Sequence, residues 1–350
     1  MKILGIESSC DETSVAVVQD GYKVLSNVIF SQAKMHSKTG GVVPEVAARE
    51  HTEQILPVIQ KALKEAKCKI EDIDAIAVAY GPGLISSLLI GVTAANTIGM
   101  VLNKPLIGVR HILGHVYAPF LEVKSAPQFP ILTLSVSGGH NELYLMQKHF
   151  DYSIIGETVD DAAGEAFDKV ARMLGLGYPG GPLIEALAKK GNPLAHPFPK
   201  AQFEDKERLD FSFSGLKTSL QYFLEKLAKS RKKVTPKEKA DIAASFQHAV
   251  TEALTNNVIE ALRRNKEVKE VHLTGGVSAN MYIRETLEKK LKALQKETGR
   301  KFNFRTPAKL SYCTDNGAMI AGAAFFQYKR DPKKYKEWKF VDASAEFTAS

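Results

Sequence analysis

The chain is poor in the features that assign a protein to a class at a glance. Among 350 residues there are three cysteines, Cys10, Cys68 and Cys313, and a single tryptophan. An odd number of thiols at scattered spacings fits neither a disulfide framework nor a CxxC metal knuckle, so reduced thiols and a cytoplasmic location are expected. The most apolar stretch, residues 84–102, is broken by Ser86, Ser87, Thr93, Asn96 and Thr97 and is expected to be a buried helix, not a membrane span. The opening Met1-Lys2-Ile3-Leu4-Gly5 has no apolar signal core with a small-residue cleavage site, and no membrane is expected as a partner. GxxxxGK[ST] and GxGxxG are both missing, which disfavours Walker-type and Rossmann sites.

What is present is ordinary globular usage, 44% hydrophobic and 25% charged, in a length that suggests two domains. Lys and Arg number 47 against 39 Asp and Glu, and the resulting +8 favours a polyanionic partner without proving one.

The hydrophobic pattern has an order. Three β-rich runs, 2–7, 14–19 and 23–30, precede a helical spacing over 45–67 with a kink expected at Pro57. A buried strand at 75–80, a helix from about Leu84 and a strand at 105–110 complete βββαβα. A second cycle follows, with strands 131–136, 142–146 and 153–157, helices from Ala162 to Leu174 and beyond, and a strand at 270–273. Its first hairpin echoes the first hairpin of the chain in pattern, not identity, which is read as a duplication giving two related lobes. A polar, helical insert is expected between Pro193 and Pro236, and its basic run 226–239 reads as a solvated helix end and loop.

Small-residue turns recur at the ends of three of these strands: Glu7 to Glu12, Ser135 to His140, and Thr274 to Asn280. Paired glycines let backbone N–H groups approach a phosphate. One such turn is an ordinary tight turn; three imply a nucleotide cleft between two lobes, with Ser8, Asp11, Glu12, Gly275 and Gly276 as candidate phosphate-loop or catalytic residues.

His111 and His115 stand at i and i+4, one turn apart on one helix face, where two neutral imidazoles can chelate a divalent ion. Asp315 is the best third ligand in the chain, with a helix N-cap as its plain alternative. Two His and one carboxylate leave coordination positions open. The residue after His111 is Ile112, so the Glu of an HExxH metalloprotease is missing. Further on, Asp160 and Asp161 read as acids at a helix N-terminus. Asp168 lies deeper and, with the turn Tyr178 to Pro182, can grip a sugar or amine.

These stretches together resemble one family, the TsaD tRNA N6-adenosine threonylcarbamoyltransferases, formerly called glycoproteases. The resemblance rests on Gly5 to Thr13, Gly40 to Glu45, Gly81 to Leu84, His111-xxx-His115 and Val136 to His140. It continues through Asp160 to Lys169, Tyr178 to Pro182, Asp210 to Lys217, Thr274 to Asn280 and Cys313 to Met319. The bacterial form is the nearer one. It implies an α/β, actin-like and sugar-kinase-like (ASKHA) fold of two ribonuclease-H-like lobes with a central cleft. The first lobe is expected over 1–125, joined by a helix at about 316–330. The second is expected over 126–315 with an insert at about 176–236, and a tail over 331–350.

The resemblance also implies the reaction. Threonylcarbamoyl-adenylate gives its threonylcarbamoyl group to N6 of the adenosine beside the anticodon, in tRNAs reading codons that begin with A, and AMP is released. By matched position, His111, His115 and Asp315 resemble ligands of one divalent ion, Fe2+ or Zn2+. Leu134, Ser135, Val136, Ser137, Gly138, Asp168, Gly181, Glu185 and Asn280 resemble donor-binding residues; where the family often has Asp, this chain has Glu185. The implied partners are the tRNA anticodon loop, a TsaB-like paralogous subunit and a TsaE-like ATPase. Two other readings stay open: an actin-fold ATPase or phosphotransferase, and a metallopeptidase or non-catalytic scaffold.

Overall fold

The computed structural model describes residues 1–199, 207–230 and 234–345, which divide into two compact units. Unit 1 comprises residues 1–127, 149–151 and 306–350, and unit 2 residues 128–148 and 152–305.

In unit 1 the strands β1 (Lys2–Glu7), β2 (Glu12–Gln19) and β3 (Lys23–Ser31) form a meander. The helices α1 (Ala33–His36) and α2 (Pro44–Glu65) follow, then β4 (Ala75–Gly81), α3 (Ile85–Leu102), β5 (Leu106–Arg110) and α4 (His111–Tyr117). The sheet order is β3-β2-β1-β4-β5: β2 runs antiparallel to both of its neighbours, β1 and β3, and β4 and β5 run parallel to β1.

Unit 2 repeats this plan. It contains β6 (Ile131–Val136), β7 (Asn141–Lys148), β8 (Asp151–Glu157), α5 (Ala163–Met173), α6 (Gly180–Ala188), α7 (Ser214–Lys229), α8 (Pro236–Arg264), β9 (Glu270–Thr274), α9 (Met281–Thr298) and β10 (Asn303–Arg305). Its sheet is ordered β8-β7-β6-β9-β10, with β7 antiparallel and β9 parallel to the central β6, and β10 parallel to β9. The last helix, α10 (Gly317–Arg330), belongs to unit 1.

Strand periodicity positions the first core. Leu4 and Ile6 point toward Ile55, Ile59 and Val92 of α2 and α3, and the alternate residue Gly5 faces α10. A Cβ on Gly5 would lie 2.2 Å from the carbonyl oxygen of Gly317, so only glycine admits the α10 backbone this close to β1.

Pro57 lies inside α2, which is one continuous helix. α3 is long and apolar enough to cross a membrane by length and composition, but it is the crossover between β4 and β5. Only its inner stripe is buried, including Leu88, Val92 and Ala95, while Leu89 and Val101 are exposed. Asp160 and Asp161 do not open a helix: α5 starts at Ala163. Asp160 instead accepts hydrogen bonds from Ser212 Oγ, Ser214 Oγ and the Phe213 N–H at the start of α7. Asp161 pairs with Lys169 and Lys217.

The region 193–236 contains α7 among its described residues, with Leu216 and Leu220 buried in the core of unit 2. Of the basic run, Lys226 and Lys229 end α7 and Lys237 and Lys239 begin α8; residues 231–233 lie outside the described residues. Residues 331–345 pack on unit 1, where Asn96 and Val341 exchange two hydrogen bonds.

Candidate metal centre and donor-binding residues

Three side chains converge in unit 1. α4 begins at the end of β5, so His111 and His115 stack one turn apart, with ring centroids 4.8 Å apart and planes nearly perpendicular. Asp315 precedes α10, but the N-cap is Asn316, whose side chain accepts from the Met319 N–H. Asp315 is therefore released from capping, and its Oδ1 lies 3.1 Å from His115 Nε2 and 3.5 Å from His111 Nε2. One ligand atom from each of the three residues falls within 4.8 Å of the others.

The opposite nitrogen of His111 is held. Its Nδ1 lies 3.0 Å from Glu7 Oε2 and 3.1 Å from Ser9 Oγ. Glu7 is fully buried at the end of β1, and its Oε1 accepts from the Ser9 N–H at 2.6 Å. A carboxylate on Nδ1 fixes the tautomer that turns Nε2 outward as a ligand, the usual outer partner of a metal-bound histidine. Burial pulls the His111 pKa down, but Asp315 and Glu7 outweigh it and raise it to about 9. Burial likewise raises the Asp315 carboxyl, and the charge of His111 and the hydrogen bond from His115 bring it below its ordinary value.

The surroundings are anionic. Burial, then Asp315 and Asp11, push the Glu12 carboxyl well up. Burial, then Asp11, Asp315 and Glu12, push up the Cys10 thiol. A site that draws a proton onto its own histidine and crowds carboxylates is suited to a cation, and the His, His, carboxylate set matches zinc or ferrous iron. The residues present fit a divalent ion. Behind the loop, the buried His51 donates Nε2–H to the Cys10 carbonyl at 3.0 Å and accepts from Thr13 Oγ1 at Nδ1, 2.7 Å away. Of the other candidates here, Ser8 Oγ donates to the Ser87 carbonyl of α3 and Glu12 Oε1 accepts from Ser31 Oγ.

The remaining candidates lie in unit 2. Leu134 and Val136 point into its hydrophobic core, so only their backbones are available to a ligand. Ser137 and His140 close a turn on each other, which leaves Gly138 and Gly139 exposed with no atom near their missing Cβ. Asp168 Oδ1 accepts from the Gly180 N–H at 2.7 Å, at the start of α6. Gly181 faces open space, and Glu185 Oε1 accepts from the Met281 N–H at 3.1 Å. Asn280 is the N-cap of α9 and donates to Gln247. A hollow of about 400 Å³ opens beside Glu185, lined also by Lys189, Gln247, Met281, Tyr282 and Glu285. Gly275 sits at φ +86 with its missing Cβ 2.3 Å from the Val136 carbonyl oxygen, whereas nothing lies within 4 Å of the missing Cβ of Gly276.

A family model described as "TsaD: tRNA N6-adenosine threonylcarbamoyltransferase" matches residues 23–322. The chain belongs to the TsaD family. It is 49% identical over 328 residues to the tRNA N6-adenosine threonylcarbamoyltransferase of Clostridium novyi, covering 94% of this chain and 93% of that one. The protein of the same name from Symbiobacterium thermophilum is 49% identical over 327 residues, covering 93% and 92%.

Among solved structures, full-length HypF in its phosphate- and nucleotide-bound form superposes with a TM-score of 0.58 at 14% identity, covering 94% of this chain and 46% of that one. Component A of the Acidaminococcus fermentans (R)-2-hydroxyglutaryl-CoA dehydratase superposes at 0.52 with 17% identity, covering 95% and 100%. These likenesses speak to fold alone, and the fold is the α/β, actin-like one.

Sequence spacing alone does not single out Glu7, Ser9 or His51, because their partners are distant in the chain; Glu7 and His111 are 104 residues apart. A buried acid at the C-terminal end of a central strand is the one signal that points to Glu7.

Proposed function

We propose that the chain transfers the threonylcarbamoyl group from threonylcarbamoyl-adenylate to N6 of the adenosine adjacent to the anticodon, in tRNAs reading codons that begin with A. The N6 lone pair forms the new bond to the carbamoyl carbon. The bond from that carbon to the phosphate oxygen breaks, AMP leaves with the electron pair, and one N6 proton is lost. The donor is a mixed anhydride and already activated, so no covalent enzyme nucleophile is needed, and positioning supplies much of the rate.

The observation that carries this reading is 49% identity, over 94% of the chain, to an enzyme of that name, in a chain whose His111, His115 and Asp315 converge. When bound by these three residues, Fe2+ or Zn2+ would supply Lewis-acid polarisation of a donor oxygen. Glu7 and Ser9 hold His111 so that Nε2 is the outward atom. In unit 2 the backbone of residues 134–138, the Asp168 carboxylate, Gly181, Glu185 and Asn280 are the residues we assign to the donor. Ile112 between the histidines supports transfer over peptide hydrolysis, since no carboxylate stands at the second position of the motif to deprotonate a water.

Leu56 on α2 and Leu89 and Val101 on α3 are exposed apolar side chains, and we assign the outer sides of these helices to a TsaB-like subunit. A TsaE-like ATPase and a cytoplasmic setting belong to the same reading.

Donor and nucleotide consumption separate this reading from an ATPase or phosphotransferase. The protein, given unmodified tRNA and the preformed adenylate without ATP, should release AMP in step with tRNA acylation. Turnover of ATP by the isolated protein that leaves the adenylate untouched would favour the phosphotransferase.

A further inference from the structure

We propose that residues 329–339 form an RNA-contact surface that takes the phosphate backbone of the substrate tRNA, away in sequence from the metal and donor residues. This rests on the reading that tRNA is the substrate. The segment carries Lys329, Arg330, Lys333, Lys334, Lys336 and Lys339 against Asp331 and Glu337, a net +4 and so half of the +8 of the whole chain. Among the described residues, none of the six cations makes an ion pair with a carboxylate. Asp331 instead accepts from the Lys334 N–H as the cap of a short turn.

Packing holds this charge in shape. Tyr335 is buried, with its hydroxyl 2.8 Å from Gln327 Nε2. Trp338 lies over Gly99, where a Cβ would come within 2.7 Å of the indole. Two residues past Lys339, Val341 is tied to Asn96 by two hydrogen bonds. Like charges confined on an anchored segment repel one another, and a polyanion relieves that repulsion while releasing its own counterions. Phe340, next to Lys339 in the chain, is 68% exposed, an aromatic residue beside a cation, as single-stranded nucleic acid favours for stacking.

The test is binding of unmodified tRNA to the full chain by fluorescence anisotropy across a salt series. The Lys333→Gln/Lys334→Gln/Lys336→Gln/Lys339→Gln variant should bind at least about tenfold more weakly near physiological salt, with the slope of log K against log salt shallower by about 2 to 4. The four-fold Lys→Arg variant should bind as wild type does. An unchanged affinity and slope in the Gln variant overturns the proposal. So does equal loss in the Gln and Arg variants, which would trace the effect to folding and not to charge. Equal competition by poly-glutamate, with tRNA binding insensitive to the Gln set, would assign the surface to an acidic protein and also overturns it. Wild type that acylates tRNA while the Gln variant binds normally removes the surface and keeps the transferase reading. Wild type that binds tRNA through these lysines but never acylates it does the reverse.

Discussion

His111 has two nitrogens with two different tasks. Nδ1 is held by the buried Glu7, and Nε2 faces the space shared with His115 and Asp315. In Glu7→Gln the imidazole loses its anionic partner and becomes a weaker, less fixed ligand. Metal affinity should fall about 10- to 100-fold in a chelator competition titration. An unchanged affinity would mean that Glu7 merely fills the strand end.

The glycine pair after β9 makes a second case. Gly275 is at a positive φ and against the Val136 carbonyl, so Gly275→Ala should cost about 2 to 3 kcal/mol in denaturant unfolding. Gly276 has open space, and Gly276→Ala should stay within about 1 kcal/mol of wild type. Equal losses at the two positions would contradict this assignment of strain to one residue. At this scale the histidine pair was legible because i and i+4 spacing is local. Asp315 is 200 residues from His115, so spacing could rank it as a candidate but not bring it there.

Whole elements were easier to read than their ends. The β-rich runs and the helices read over 45–67, from about Leu84 and over 162–174 appear where hydrophobic periodicity puts them, because a buried face imposes its period on the sequence. β10 escaped notice because three residues are too few to show alternation. Asp160 and Asp161 differ for another reason: acids favour helix starts, but Asp160 serves the start of α7, some 50 residues on, and Asp161 bridges Lys169 of α5 and Lys217 of α7 without capping either helix.

The junction of β9 and β10 supports a pH prediction. Glu270 is buried, receives two bonds from Arg305 and one from His272 Nε2, and burial, which raises its pKa, is outweighed by both partners. The result is about 2 against an ordinary 4.5. A depressed carboxyl stabilises the fold fully above the ordinary value and loses that contribution as pH falls toward the folded value. The shift corresponds to stabilisation on the order of 3 kcal/mol at neutral pH. Glu270→Gln should therefore be less stable than wild type at pH 7, and the gap should narrow between pH 4.5 and pH 2. A gap that stays constant across that window in urea unfolding would show that charge is not what holds Glu270.

On the scale of the whole chain, the repeat is the most legible feature. Two cycles of strand and helix predicted two related lobes, and both sheets have the same antiparallel-then-parallel order around a central strand. The repeat does not reveal chemistry, because the two units carry different side chains at matching turns: an acid-rich loop after β1 and a glycine-rich one after β6. What the chain does follows from the family to which it belongs, not from the fold.

The most direct measurement is mass spectrometry of nucleosides from unmodified tRNA incubated with preformed adenylate, partner subunits and either wild type or His111→Ala, with glycoprotein and peptide substrates in parallel. Threonylcarbamoyladenosine is expected with wild type, its collapse with His111→Ala, and intact peptides with both. Peptide cleavage that vanishes in His111→Ala, with tRNA unmodified by either protein, would contradict the transferase reading.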